Sequence, residues 1–232
     1  MKVEFTPKQV LKFLLCIITF LFFIHSLSLI SRLLSDHGTL FGELNIFNVD
    51  AEKNIPTFYS AIALLIASTL LFFITATHKK MNDPYISWAI LAILFLFLSI
   101  DEISSIHESL TLPTRNLFDT SGLLYFAWVI PYGIALIIFV CAYLKFLLSL
   151  PKHIMILFIT SGIIFIMGAI GFELLGGREA ELNGKQGLLY AIFYTCEEFF
   201  EMIGIALFIY TLLTYIVTQF GSLKIIASEL ID

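Results

Sequence analysis

The chain has 232 residues, of which 59% are hydrophobic and 13% charged, with a net charge of −5 and a mean hydropathy of +0.96. Soluble domains average roughly 45–50% apolar and about 25% charged residues, so this composition excludes a soluble module and places the chain in a lipid bilayer. No basic patch or nucleic-acid motif is present, which removes nucleic acid from the expected partners.

Apolar runs of about 20 residues or more are long enough to cross a hydrocarbon core. Six of them predict an all-α transmembrane bundle, with residues 1–232 forming a single integral membrane domain. The first run covers residues 10–34. It follows a positive start, MKVEFTPK, exceeds the roughly 7–15 residues of a signal-peptide core and lacks a small-x-small cleavage pattern, so it is expected to remain as a span. Within it His25 sits among Phe, Ile, Ser and Leu. A hydrogen bond to a neighbouring helix is its first expectation, and a metal-ligand or proton-carrying role the weaker one.

The second run, 56–77, ends in a polar break from Lys79 to Pro84. The third, 85–106, leads into LFLSIDEISSIHESL. On a regular helix Asp101, Ser105 and Glu108 form one stripe, with Glu102 and His107 displaced to either side of it. The fourth, 122–150, contains Pro131, whose missing donor and ring predict a kink. The fifth, 153–175, carries Glu173 near its end, before a predicted turn over 176–187 from which Arg178 can reach back. The sixth, 188–219, carries Glu197, Glu198 and Glu201 within an arc of about 100°. Cys16, Cys141 and Cys196 lie in apolar runs and read as small packing residues, with only Cys196 adjacent to the acids.

Loop charge sets the orientation. With both termini cytoplasmic, that side holds Lys2, Lys8, Lys12, Lys79, Lys80, Lys145, Lys152 and Lys224, against Arg32, Lys53, Arg115, Arg178 and Lys185 opposite. In this frame Asp101 lies about 24 Å along the third span, and Glu197 to Glu201 roughly 14–20 Å into the sixth, at 1.5 Å per residue. With Glu173 and His25, four helices then bring ionisable groups to the outer half of the bilayer.

An ionisable group at the centre of a spanning helix costs roughly 2.5–3.5 kcal/mol on insertion scales. Several together call for protons, a water-filled cavity or a bound cation. Arg32, Arg115 and Arg178 can neutralise one or two acids, but no Lys or Arg lies deep beside Glu197 or Glu198. A divalent metal is therefore the leading expectation, with Asp101, Glu102, His107, Glu108, Glu173, Glu197, Glu198 and Glu201 as candidate ligands. Carboxylates with one or two imidazoles suit Mn, Fe, Mg or Ca; Zn normally takes more His or Cys. The Glu-x-x-His of di-iron bundles is absent from both acid clusters.

The segments LSIDEISSIHESL, GFELLGG and YTCEEFFEMIG together resemble a recurrent pattern in uncharacterised multi-pass bacterial membrane proteins. That resemblance implies a bacterial inner-membrane location and treats these acids and His107 as one set. A more distant likeness is to ceramidase-like membrane hydrolases, which hold an intramembrane zinc with several histidines. Here Ser104 and Ser105 precede His107 at a different spacing, and no late His-x-x-x-His follows.

The leading functional expectation is a membrane-embedded metal-dependent enzyme acting on a lipid-like substrate. Glu102, Glu198 and His107 are its candidate acids and bases. A cation or proton-coupled transporter is the alternative, suggested by the matching i, i+1, i+4 spacing of Asp101-Glu102-Ser105 and Glu197-Glu198-Glu201 in the last spans of two three-span halves. A non-catalytic membrane subunit or sensor is the third.

Overall fold

In the computed structural model, residues 6–34, 46–51 and 53–221 are described, with backbone alone for 32–34. Among them all regular structure is helical: α1 (Pro7–Leu34), α2 (Ile55–Lys80), α3 (Ile86–Ser104), α4 (Ile106–Ser109), α5 (Thr111–Phe118), α6 (Val129–Ser149), α7 (Lys152–Ile166), α8 (Glu173–Asn183) and α9 (Leu188–Phe220). A π-helical turn, Met167–Phe172, joins α7 to α8, so that Lys152–Asn183 is one continuous rod. That rod and α1, α2, α3, α6 and α9 are each long and apolar enough to cross a membrane. The protein is a multi-pass α-helical bundle.

In lipid, helices associate through close packing and interhelical hydrogen bonds rather than through water exclusion, and each contact here follows that rule. Asn54 caps α2 by accepting the Thr57 backbone N–H at 3.1 Å, with Pro56 in the first turn where no intrahelical donor is needed. Across the α2–α3 hairpin, the Ser68 hydroxyl donates to the Ala92 carbonyl and the Ser99 hydroxyl to the Ala61 carbonyl, both at 2.8 Å. The α7–α9 crossing depends on two glycines. A Cβ on Gly204 would stand 2.7 Å from the Phe165 nitrogen, and one on Gly168 only 2.5 Å from the Glu197 carbonyl oxygen.

The axis of the bundle is α9. Met202, Ile205, Ile209 and Leu212 pack against Ile18 of α1, Leu71 and Ile74 of α2, and Ile154 of α7. Of its most apolar stretch 56% is buried, against 6% for α6. α6 approaches chiefly α7. It is tied to α3 at two levels: the Tyr132 hydroxyl donates to Asp101 at 3.0 Å, and the Tyr143 hydroxyl to the Ser87 carbonyl at 3.1 Å. Between these ties the helices stand apart.

Several sequence expectations change. The fourth span begins at Val129 rather than near residue 122, because Gly122–Leu124 form a short 3-10 turn first. Pro131 therefore falls in the first turn of α6, where its missing donor breaks no helical bond. The turn expected to begin at Gly176 is helix as far as Asn183; Gly176 and Gly177 are buried, and a Cβ on Gly177 would meet the Phe126 ring at 3.1 Å. Glu173 consequently sits about 15 Å from the end of its rod at 1.5 Å per residue, not at the rim. Cys16 and Cys141 lie on the outer surface rather than in the packing core. Of the charges used for orientation, Lys2, Lys224 and the Arg32 side chain lie outside the described residues.

Candidate functional site: an intramembrane acidic cavity

The third span does not continue as a regular helix through its acids. Ser105 adopts a left-handed conformation (φ 51°), ending α3 and starting the four-residue α4. A non-glycine residue in this region is strained by its Cβ against the neighbouring carbonyl. The effect of the break is to fold His107 back onto Asp101, which the regular stripe kept apart. Asp101, 5% exposed, accepts the His107 backbone N–H at 2.9 Å and the Tyr132 hydroxyl at 3.0 Å, and its Oδ2 lies 3.3 Å from His107 Nδ1. Donation from Nδ1 to the carboxylate leaves the basic lone pair of the neutral imidazole on Nε2. The ring is held from its sides by Trp128 and Tyr132, with centroids 4.7 and 6.3 Å away.

The π turn sets the second group. A π turn inserts an extra residue into a helix and rotates everything after it. Here it lets Gly168 abut the Glu197–Glu201 turn of α9 while Glu173, five residues later, also faces inward. Trp128 Nε1 donates to Glu173 Oε1 at 2.6 Å. Glu173 also lies within hydrogen-bonding reach of the Glu197 carboxyl. A hydrogen bond between two carboxyl groups needs one proton held between them, and such sharing is one way a like-charged pair is accommodated.

Both groups open onto one cavity of about 790 Å³. That is the size of a ligand pocket. Asp101, Glu102, His107, Glu108, Glu173, Glu197, Glu198 and Glu201 all line it, so every acid singled out on the third, fifth and sixth spans meets in one volume. Asp50 and Lys185 complete the charged lining; the Tyr190 hydroxyl donates to Asp50 at 2.9 Å. The remaining wall is hydrocarbon: Leu94 and Leu98 of α3, Leu136 and Phe139 of α6, Phe165 and Ile166 of α7. Phe97 of α3 lines the cavity as well and is 42% exposed.

Residues 11–216 match the family described as Domain of unknown function (DUF8692). The chain belongs to that family. No curated protein matches it, and no solved structure does. In this DUF8692 chain the match runs from α1 to near the end of α9 and so takes in the whole cavity.

Other expected members of the site sit elsewhere. His25 is fully buried but does not line the cavity. Its Nδ1 accepts the Val49 N–H at 3.4 Å and its Nε2 lies 3.1 Å from the Thr195 hydroxyl oxygen, which itself donates to the Ala191 carbonyl at 2.6 Å. Nε2 thus ties α1 to α9, as the first expectation for it had it, and Nδ1 ties α1 to the segment that precedes α2. Arg178 makes no ion pair with Glu173 among the described residues; Trp128 and Glu197 take that place. Arg115 turns to the Tyr125 carbonyl, donating from Nε at 2.9 Å and also from Nη2, with its guanidinium 3.8 Å from the centre of the Tyr125 ring.

Among the described residues, no group of three or more His, Cys, Asp or Glu side chains is arranged to hold a metal ion. The expected metal centre thus gains no support from the donor geometry, which presents pairs. Sequence reasoning also passed over Trp128, Tyr132 and Tyr190, the neutral donors to the acids. The available signal was FAWVIPY at the start of the fourth span, where aromatic residues with polar tips lie among apolar ones.

Proposed function

We propose that this protein is a membrane-embedded enzyme that acts on an amphipathic, lipid-like substrate by general acid–base chemistry. The observation that carries the proposal is the union, in one cavity, of a carboxyl–imidazole wall with a hydrocarbon wall of Leu94, Leu98, Leu136 and Phe139. His107, oriented through Nδ1 by Asp101, acts as base through Nε2. The Glu173–Glu197 pair holds a proton close by and acts as its donor or acceptor, with Glu102 and Glu198 lining the space between substrate and bundle.

The closed far end of the cavity supports an enzyme over a transporter. Its lining stops at Leu91 on α3 and Phe208 on α9. Beyond it Trp88 packs on Tyr215, Phe146 and Phe158 at ring distances of 4.7, 5.0 and 6.0 Å, an aromatic seal. The inverted-repeat correspondence also weakens, since α3 breaks at Ser105 while α9 runs unbroken through Glu201. A bacterial inner-membrane setting, with both termini cytoplasmic, fits the lysine bias and belongs to this same reading.

The test is turnover. Purified protein in nanodiscs is incubated with a total bacterial lipid extract, and the lipids are compared by mass spectrometry. One lipid class is expected to be consumed by the wild type and spared by His107→Asn and by Glu197→Gln, with loss of about 10²–10⁴-fold in rate for a general acid or base. Consumption that chelators abolish and a divalent metal restores would return the metal-dependent mechanism to first place. No consumption by well-folded wild type would remove the enzyme reading.

A further inference from the structure

The sign of the cavity wall restricts which amphiphile fits. Eight carboxyl side chains line it, against one lysine, Lys185, and one histidine, His107. Three of the eight have a neutral donor: Asp50 from Tyr190, Asp101 from Tyr132 and Glu173 from Trp128. These bonds satisfy individual oxygens but do not reverse the negative sign of the wall. A phosphate or carboxylate head brought against it meets like charge in a poorly screened site, where charges interact far more strongly than in water. A cationic head meets attraction.

The aromatic lining points the same way. The Lys185 ammonium sits 4.8 Å from the centre of the Phe126 ring and 5.9 Å from that of Tyr190, and all three residues line the cavity. Aromatic faces attract ammonium groups through the ring quadrupole, and aromatic enclosures are a recurrent means of holding them. The chain's own ammonium thus already occupies one position in which a ligand's ammonium gains from rings and carboxyls together. Beneath this region the hydrocarbon wall of Leu94, Leu98, Leu136, Phe139 and Phe165 offers room for an alkyl chain.

We infer that the cavity takes a long-chain amphiphile with an ammonium head and rejects one with a phosphate head. The head lies against the carboxyls and the rings of Phe126 and Tyr190, and the chain lies between α3, α6 and α7. The inference rests on the proposed lipid-like substrate and narrows its class. Lys185 competes for the same wall, so its removal strengthens binding.

The experiment uses full-length protein in nanodiscs of zwitterionic lipid, titrated separately with dodecyltrimethylammonium, dodecyl phosphate and dodecanol while thermal melting is followed. The expected result is a saturable rise in melting temperature with the ammonium, at about tenfold lower concentration than with the alcohol, a difference of about 1.4 kcal/mol. Dodecyl phosphate is expected to give none. The Glu198→Gln, Glu201→Gln double variant should weaken the ammonium response alone, and Lys185→Gln should strengthen it, so that a folding defect in one variant leaves the other to decide. Equal or better binding of the phosphate overturns the inference. Equal binding of ammonium and alcohol, indifferent to either variant, overturns it too but leaves the lipid-substrate reading standing. Saturable binding of none of the three by folded wild type sinks both.

Discussion

Asp101 shows how a buried acid is supplied with partners from the backbone, an imidazole and a phenol. Two of its partners, the His107 N–H and ring, come from six residues downstream, and the third, Tyr132, from a different helix. Replacing it by Ala leaves buried donors without an acceptor, each costing about 1–3 kcal/mol. Asp101→Ala should therefore lower the melting temperature clearly, while Asp101→Asn, which keeps one accepting oxygen, should cost less. Equal melting of both variants and the wild type would show that this network does not hold the α3–α4 break in place. Polar residues were legible as a set from the sequence, since acids inside apolar runs are conspicuous. Their pairing was not. It depends on the left-handed Ser105, and serine carries no strong local signal for that conformation.

At the level of elements, the spans were legible because a run of apolar residues is set by bilayer thickness. Helix interruptions were less so. Gly176 and Gly177 read as a turn, yet they serve close approach between packed segments, and Pro131 read as a kink, yet sits in a first turn. The same residue types serve both purposes, and only the neighbours decide. The α7–α9 crossing offers a matched comparison. Gly204→Ala drives a Cβ to within 2.7 Å of the Phe165 backbone, and overpacking of this kind costs about 1–3 kcal/mol. Gly133→Ala on α6 meets nothing within 4 Å and should gain up to about 1 kcal/mol from helix propensity. Opposite shifts in melting temperature are expected; equal shifts would show that the close crossing does not bear on stability.

For the whole molecule, six spans, the number of helices among the described residues long and apolar enough to cross a membrane, put the two ends of the bundle on the same side. The proposed orientation, with that side cytoplasmic, rests on the distribution of Lys and Arg over all the loops and the N-terminus. Reporter fusions after Lys80 and Lys152 should then report cytoplasm, and one near Glu181 the opposite side. A cytoplasmic signal near Glu181 would invert the arrangement and move the cavity to the inner leaflet. Convergence of the acids was legible from span order and depth alone, and all those expected on three spans do line one cavity. The cavity itself was not, because it exists where α6 fails to close against α3, and a sequence records which residues a helix has rather than how far it stands from its neighbour.

The order in which the acids and their partners occur along the chain has a consequence for biosynthesis. Asp101 meets His107 six residues later, almost as soon as it is made. Glu173 follows Trp128 by 45 residues, so its donor is already in place. Glu197 follows Glu173, and the helix that carries it, α9, comes after α1, α2 and α7, the elements that bury it. An acid-bearing helix is costly to insert alone; translated in this order, α9 enters a bundle that has its groove ready, and each of these carboxyls finds its partner at hand or nearly so. Exchanging the order of the spans would keep every contact of the finished protein and lose that protection while it is being made.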